Sequence, residues 1–322
     1  MNSMTIARRL ASLLFASLLA AAAAAQSYPD RPVRLVVPFA AGSTTDVISR
    51  VVAQELSKNL GQPVVVDPRP GANGTIAVAA VAKAAADGYT IVMGANGTHG
   101  MSVSLFSRLA YDPERDFAPI TQVGRLSYFL LTGGSAASVQ ELVALARAEP
   151  GRHSFAVTAS VNHLVTELFK LAAGIDMVIV PYKAPAQAFV DLASGRVDAL
   201  FEPLTSSLGQ VQDGKLRALA VTSAERSALA PGVPTIAEAG YPGFEAPAWI
   251  ALFAPAGTPP EIVATLHREA VRSLNAPEVR ASLVQHGVDV VGNRPEELAE
   301  VVRLEVAKWR RVVREAKIAP IN

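Results

Sequence analysis

The chain of 322 residues contains no cysteine, which removes disulfides, thiolate nucleophiles and cysteine-based metal sites at once. Its size does not demand staples, because a chain this long can bury enough apolar surface to rely on its core. Histidine is scarce at 5 residues, and none forms the H-E-x-x-H pattern of a zinc hydrolase. Also missing are the G-x-S-x-G elbow, the paired C-x-x-C and the G-x-G-x-x-G dinucleotide turn. Residues 209–215 do spell G-x-x-x-x-G-K. Leu216 follows, however, where a phosphate loop has Ser or Thr, and the pattern runs into a strand rather than a helix. Hydrolysis, nucleotide chemistry and metal catalysis are thus left without a centre, and no cofactor or metal is expected. Charge of one sign is lacking too. The 29 Lys plus Arg face 28 Asp plus Glu without a basic stripe, which excludes nucleic acid as a partner.

What is present begins with a leader. Arg8 and Arg9 precede an apolar run from Leu10 to Ala20, and an alanine tract ends at Ala25. A positive start, a short apolar core and small residues at its end make a secretory signal peptide, here residues 1–25. The core falls short of the ~20 residues that span a bilayer. Export to the periplasm is expected, with the mature chain starting near Gln26. Removing the leader takes away two Arg and no acid, leaving 27 basic against 28 acidic residues and a net charge of −1. Past the leader no apolar run approaches membrane length, and about 300 residues suggest two domains.

Short β-rich runs then alternate with longer amphipathic ones. Strands are expected at Val33–Phe39, Val64–Val66 and Thr90–Met93, with helices at Thr45–Leu60 and Ile76–Ala85 between them. That grammar means a parallel sheet with right-handed crossovers. It restarts at Tyr128 and continues through strands at residues 154–157, 177–180, 197–201 and 216–221. Pro-rich turns follow, then a strand Trp249–Ala254 and two or three closing helices. One of these, from Pro259, is expected to carry a capping box of Thr258 and Glu261. The division expected is lobe 1 from 26–125, lobe 2 from 126–247, and a return segment of lobe 1 from 248–322. The fold class is α/β, with two open lobes and a cleft between them.

Three strand-to-helix loops stand out. The first holds Phe39, Ala41, Gly42, Ser43, Thr44, Thr45 and Asp46; the second holds Gly94, Asn96, Gly97 and Thr98; the third holds Thr158, Ala159, Ser160, Asn162 and His163. Small residues let backbone N–H groups approach a ligand, hydroxyls add donors, and helix N-termini favour anions. In open α/β sheets ligands sit at the carboxyl ends of strands, where all three loops lie. Each loop has an ordinary reading as well, since Ser or Thr before a helix is an N-cap and Asn-Gly is a turn. Asp46 suits organising its loop better than touching an anion. Glu202, directly after a strand, could hold an ammonium or hydroxyl, or be a plain surface carboxylate. Trp249 suits packing at a lobe boundary. His99 or His163 would serve as base if the scaffold were an enzyme, given a Ser or Asp partner in reach.

A family resemblance rests on many collinear motifs. They are Tyr28-Pro-Asp-Arg-Pro-Val-Arg-Leu-Val-Val-Pro-Phe, Asp46, Leu60-Gly-Gln-Pro-Val-Val-Val, Arg69-Pro-Gly-Ala-Asn-Gly, Asp87-Gly-Tyr-Thr, Tyr111-Asp-Pro, Asp116-Phe-Ala-Pro, Val180-Pro-Tyr-Lys, Lys215-Leu-Arg-Ala-Leu-Ala-Val-Thr and Leu252-Phe-Ala-Pro-Ala-Gly-Thr. Together they resemble the Bug-type extracytoplasmic receptors of tripartite tricarboxylate transporters, over essentially the whole mature chain. The resemblance implies a type II periplasmic binding-protein fold, with the chain crossing between lobes near Arg125 and returning near Pro247. It implies a small carboxylate held by backbone amides, hydroxyls and waters, with Tyr182 and Glu202 added to the three loops. It also implies a monomer that serves membrane transport subunits or a sensor kinase. The chain departs from the family pattern in three places. Ser43 takes a glycine position, the third loop is about two residues short and glycine-free, and Glu202 stands where Asp is more usual.

Overall fold

The computed structural model describes residues 28–321, so the expected leader lies outside the described residues. Among these, no helix is long and apolar enough to cross a membrane.

The first sheet starts as the alternation dictates. Strand β1 (Val33–Val37) is nearly all apolar and buried, and it pairs in parallel with β2 (Val64–Pro68) and β3 (Thr90–Ala95). Helix α1 (Thr44–Leu60) and helix α2 (Thr75–Ala82) make the crossovers. β1 ends at Val37, two residues before the expected Phe39, because Pro38 has no N–H for the ladder. After β3 the chain makes a wide helical turn (Gly97–Met101), a short helix α3 (Ser102–Leu105) and a long strand β4 (Phe117–Leu126), none of which the hydrophobic pattern announced.

Only Ser127 separates β4 from β5 (Tyr128–Thr132), the first strand of a second sheet. That sheet continues with α4 (Val139–Ala148), β6 (Ser154–Val157), α5 (Ser160–Ala173), β7 (Val178–Pro181), α6 (Pro185–Ala193), β8 (Ala199–Pro203), α7 (Leu204–Gln212) and β9 (Arg217–Val221). The chain then returns to the first sheet as β10 (Ala248–Pro255). It closes with α8 (Pro260–Asn275), α9 (Pro277–Gln285), β11 (Val288–Val290) and α10 (Pro295–Glu315). The strand orders are β11-β4-β10-β3-β1-β2 and β7-β6-β8-β5-β9. Two α/β sheets joined by adjacent strands make the two-lobed architecture of a periplasmic binding protein.

The two crossings lie side by side. Ala248 opposes Leu126, Trp249 opposes Arg125 and Ile250 opposes Gly124 in antiparallel register. Period-2 alternation sends Leu126, Ala248 and Ile250 to one face and Trp249 to the other. There Trp249 packs with Leu298, Val302 and Val306 of α10. Farther along the same helix, Trp309 and Val312 enter the core of the second sheet with Phe155 and Phe169. α10 therefore packs against both lobes.

One expected helix start is corrected. Thr258 does not cap α8: its hydroxyl donates to Pro255 O at 2.7 Å, and the helix begins at Pro260 without a side-chain cap. Pro260 restricts Pro259 to an extended conformation (φ −51, ψ 136), so a helix cannot begin before Pro260 and Glu261 has no capping box to close.

Candidate functional site

The three loops are shaped by different partners. In the first, Gly42 (φ +81) supplies a backbone turn that its N–H uses to reach Asp46 Oδ2 at 2.9 Å. Arg50 clamps the same carboxylate through Nε at 3.0 Å and Nη2 at 3.1 Å. Burial alone would raise the Asp46 carboxyl, but the Arg50 hydrogen bonds, the Gly42 N–H and the Arg50 charge outweigh it and hold it below the usual range. Ser43 caps α1, its Oγ accepting Asp46 N–H at 3.3 Å. The first bond inside the helix is Val47 N–H to Ser43 O. The N–H groups of Thr44 and Thr45 consequently have no partner among the described residues.

The second loop folds around Thr98. Its hydroxyl takes Ala95 N–H at 3.0 Å, lies 3.1 Å from Ala95 O and 2.9 Å from His99 Nδ1. His99 is fully buried, stacked on Phe253 at 4.1 Å between ring centres, and burial drives its pKa down to about 3. Gly94 is required by that ring, since a Cβ there would lie 2.6 Å from it. Asn96 is 4% exposed, and its Nδ2 has no hydrogen-bond partner among the described residues.

In the third loop the Thr158 and Asn162 side chains turn toward Glu202. Thr158 Oγ1 donates to Glu202 Oε2 at 2.9 Å, and Asn162 Nδ2 reaches Glu202 Oε2 at 2.9 Å, Phe201 O at 2.8 Å and Thr158 Oγ1 at 3.0 Å. Burial raises the Glu202 carboxyl, against the hydrogen bonds from Thr158, Ser206 and Asn162. Ala159 stands at the N-cap of α5 without a side-chain cap, and the first bond is His163 N–H to Ala159 O. The N–H groups of Ser160, Val161 and Asn162 therefore have no partner among the described residues.

A cavity of about 170 Å³ lies between the two sheets. Lobe 1 contributes Phe39, Thr44, Thr45, Ile48, Ala95, Asn96 and Gly97. The crossing strands contribute Leu126, Ala248, Trp249 and Ile250; lobe 2 contributes Tyr128, Val161 and Pro203. Gly97 and Val161 meet across it, a Cβ at Gly97 lying 3.3 Å from Val161 Cγ2. The starts of α1 and α5 thus face one cavity from opposite lobes.

Of the residues expected at the site, Phe39, Thr44, Thr45, Asn96 and Gly97 line this cavity. Ala41, Gly42, Ser43 and Asp46 shape the first loop, and Gly94 and Thr98 shape the second. Thr158, Ala159, Ser160, Asn162, His163 and Glu202 are outside the lining, and His163 instead lies 3.7 Å from Glu167. Tyr182 is separate again, its hydroxyl donating to Asp191 Oδ2 at 2.8 Å. The lining residues that sequence reasoning missed are apolar or aromatic: Ile48, Ala95, Leu126, Tyr128, Val161, Pro203, Ala248, Trp249 and Ile250. Their only sequence signal was hydrophobicity, which they share with the core. No Lys, Arg or His lines the cavity. Among the described residues no group of His, Asp and Glu could hold a metal ion.

Comparison with known proteins places this geometry. Residues 48–318 match the family described as tripartite tricarboxylate transporter family receptor. Protein BugT of Bordetella pertussis is 39% identical over 302 residues, covering 92% of this chain and 93% of BugT. Among solved structures, R. palustris Rpa4515 with adipate is 39% identical with a TM-score of 0.78, covering 92% of this chain and all of that one. MatC from Rhodopseudomonas palustris with bound malate is 35% identical with a TM-score of 0.74, covering 89% of this chain. The periplasmic binding protein BugD is 33% identical with a TM-score of 0.75, covering 91%. The chain belongs to the tripartite tricarboxylate transporter receptor family and is a Bug-type solute-binding receptor.

Proposed function

We propose that this protein is a periplasmic, non-catalytic receptor that captures a small carboxylated solute between its lobes and delivers it to membrane subunits of a tripartite tricarboxylate transporter. The observation that carries the reading is the cavity onto which two helix N-termini open from opposite lobes. The unpaired N–H groups of Thr44, Thr45 and Val161 sit there beside Asn96. Backbone amides at a helix start attract an anion without a fixed cation, and their use from both lobes would couple binding to hinge closure. The adipate and malate bound to the two relatives support a carboxylate as the solute. Neither His99 nor His163 lines the cavity, which favours a receptor over an enzyme. Export through the expected leader would place the protein in the periplasm.

Thermal unfolding against a panel of mono-, di- and tricarboxylates tests the reading. A ligand that binds only the folded state adds ~2.7 kcal/mol of stability at a hundredfold excess over Kd. At least one carboxylate should raise the transition in a dose-dependent way. Thr44→Glu, at an exposed position, should fold and lose that response because its carboxylate repels the anion. A folded protein unmoved by every carboxylate sinks the proposal.

A further inference from the structure

We infer that the preferred solute carries a single carboxylate on an apolar body, a narrowing that rests on the receptor reading above. The cavity's polar groups form one small set: the Thr44 and Thr45 hydroxyls and amides, Asn96 and the Val161 amide. Most of the remaining wall is hydrocarbon, from Ile48, Leu126, Val161, Pro203 and Ile250, with the Tyr128 ring beside it. The Tyr128 hydroxyl has no hydrogen-bond partner among the described residues. Trp249 is the other lining residue with a polar side-chain atom, an indole N–H that is also without a partner, but its ring packs with α10 on the opposite face of the strand.

The third loop explains why lobe 2 offers so little. Its amide and hydroxyl side chains would be the natural holders of a second carboxylate, but Thr158 and Asn162 both donate to Glu202. Glu202 is an internal carboxylate that occupies those two donors, and Ser160, the loop's other hydroxyl, lies outside the lining. With them withdrawn, the α5 residue left facing the cavity is Val161, whose methyl lies against Gly97. Any second carboxylate of a ligand would therefore meet a wall that is mostly hydrocarbon, with the Tyr128 hydroxyl as its main side-chain donor and no cation. It would also lie near Glu202, whose charge already acts on the Tyr128 phenol. An ionised carboxylate moved from water into such surroundings, with one hydroxyl in place of a full hydration shell, is strongly penalised. A carboxylate-free end made of methylene, methyl or aromatic carbon gains from the same wall.

A matched pair isolates the second carboxylate. Hexanoate and adipate differ chiefly in whether the far end is a methyl or a carboxylate, and both can be titrated into the purified protein by calorimetry, with benzoate as an aromatic monocarboxylate. The expected result is hexanoate or benzoate binding at least tenfold tighter than adipate. In Val161→Ser, which puts a hydroxyl on the wall, that ratio should fall severalfold. Adipate binding as tightly as hexanoate, or tighter, overturns this inference and leaves the receptor reading intact. A folded protein that binds no carboxylate overturns both. An unchanged ratio in the Val161→Ser protein also counts against the assignment of Val161 as the selecting wall.

Discussion

The loops that open α1 and α5 have the same sequence grammar: a strand, a small-residue turn rich in hydroxyls, a helix, and one buried carboxylate nearby. They end up doing opposite things. In the first loop the carboxylate, Asp46, is satisfied by Gly42 N–H and by Arg50, so Thr44 and Thr45 remain free to face the cleft. In the third loop the carboxylate, Glu202, comes from a neighbouring strand and has no cation beside it. It is satisfied by Thr158 and Asn162, so those two side chains turn inward and Val161 faces the cleft. The polarity of a binding wall is thus decided by which groups the nearest buried acid recruits. The number of Ser, Thr and Asn residues in the loop is a poor guide to it.

The largest effect should come from breaking the inward-turned loop. Asn162→Leu strips Phe201 O and Glu202 of a shared donor in a buried position, and should lower the unfolding free energy by about 3 kcal/mol in urea denaturation. A loss near zero would mean that the Glu202 network does not hold the third loop.

Next in size is a pH effect from the second loop. His99 has a folded pKa near 3 against ~6.5 when unfolded, so stability is complete above pH 6.5 and is lost as pH falls below it. By pH 5 the loss should be about 2 kcal/mol, and His99→Phe should flatten it. Urea midpoints measured between pH 4 and 8 check this.

The two carboxylates should give smaller pH effects of opposite sign. Asp46 is held below its usual range, so its contribution is present above the unfolded value and disappears in acid. Glu202 is raised, so the folded state binds more protons and stability falls as pH climbs above ~4.3. The stability gap between wild type and Asp46→Asn should therefore widen as pH rises from 3. Relative to Glu202→Gln, wild type should weaken over the range above pH 4.3. Equal trends in the two variants would erase the distinction between the loops.

Smallest is the cap. Ser43→Ala removes the acceptor for Asp46 N–H and should cost about 0.5–1 kcal/mol of stability by thermal unfolding. The free amides of Thr44 and Thr45 are untouched by that change, so solute affinity should change less than twofold.

Much of the fold was legible because fully buried strands are written as largely apolar runs. β1, β3 and β5 stood out in this way, and Gly61 marked the end of α1 through its left-handed conformation (φ +68). β4 was not legible. Its residues Phe117–Leu126 mix Pro, Thr, Gln, Gly and Arg, and they become a strand through pairing with β10 on one side and β11 on the other. The same limit applies to the site. Thr44, Thr45, Asn96 and Gly97 could be named from loop position, but Leu126, Tyr128 and Ile250 look like any other core residue in the sequence. Their place on the cavity wall follows from the adjacent register of the two crossing strands.

The sequence by itself determined the alternation of strands and helices, the lack of cysteine and of the common metal and nucleotide motifs, the family, and the three loops at strand ends. These depend on local spacing and residue type, and both can be read along the chain. The tertiary structure alone decided which of those loops present their donors to the cleft. A hydroxyl or amide turns toward whichever unsatisfied acceptor folding brings near. For Asn162 that acceptor is Glu202, 40 residues away in the chain and 2.9 Å away in space.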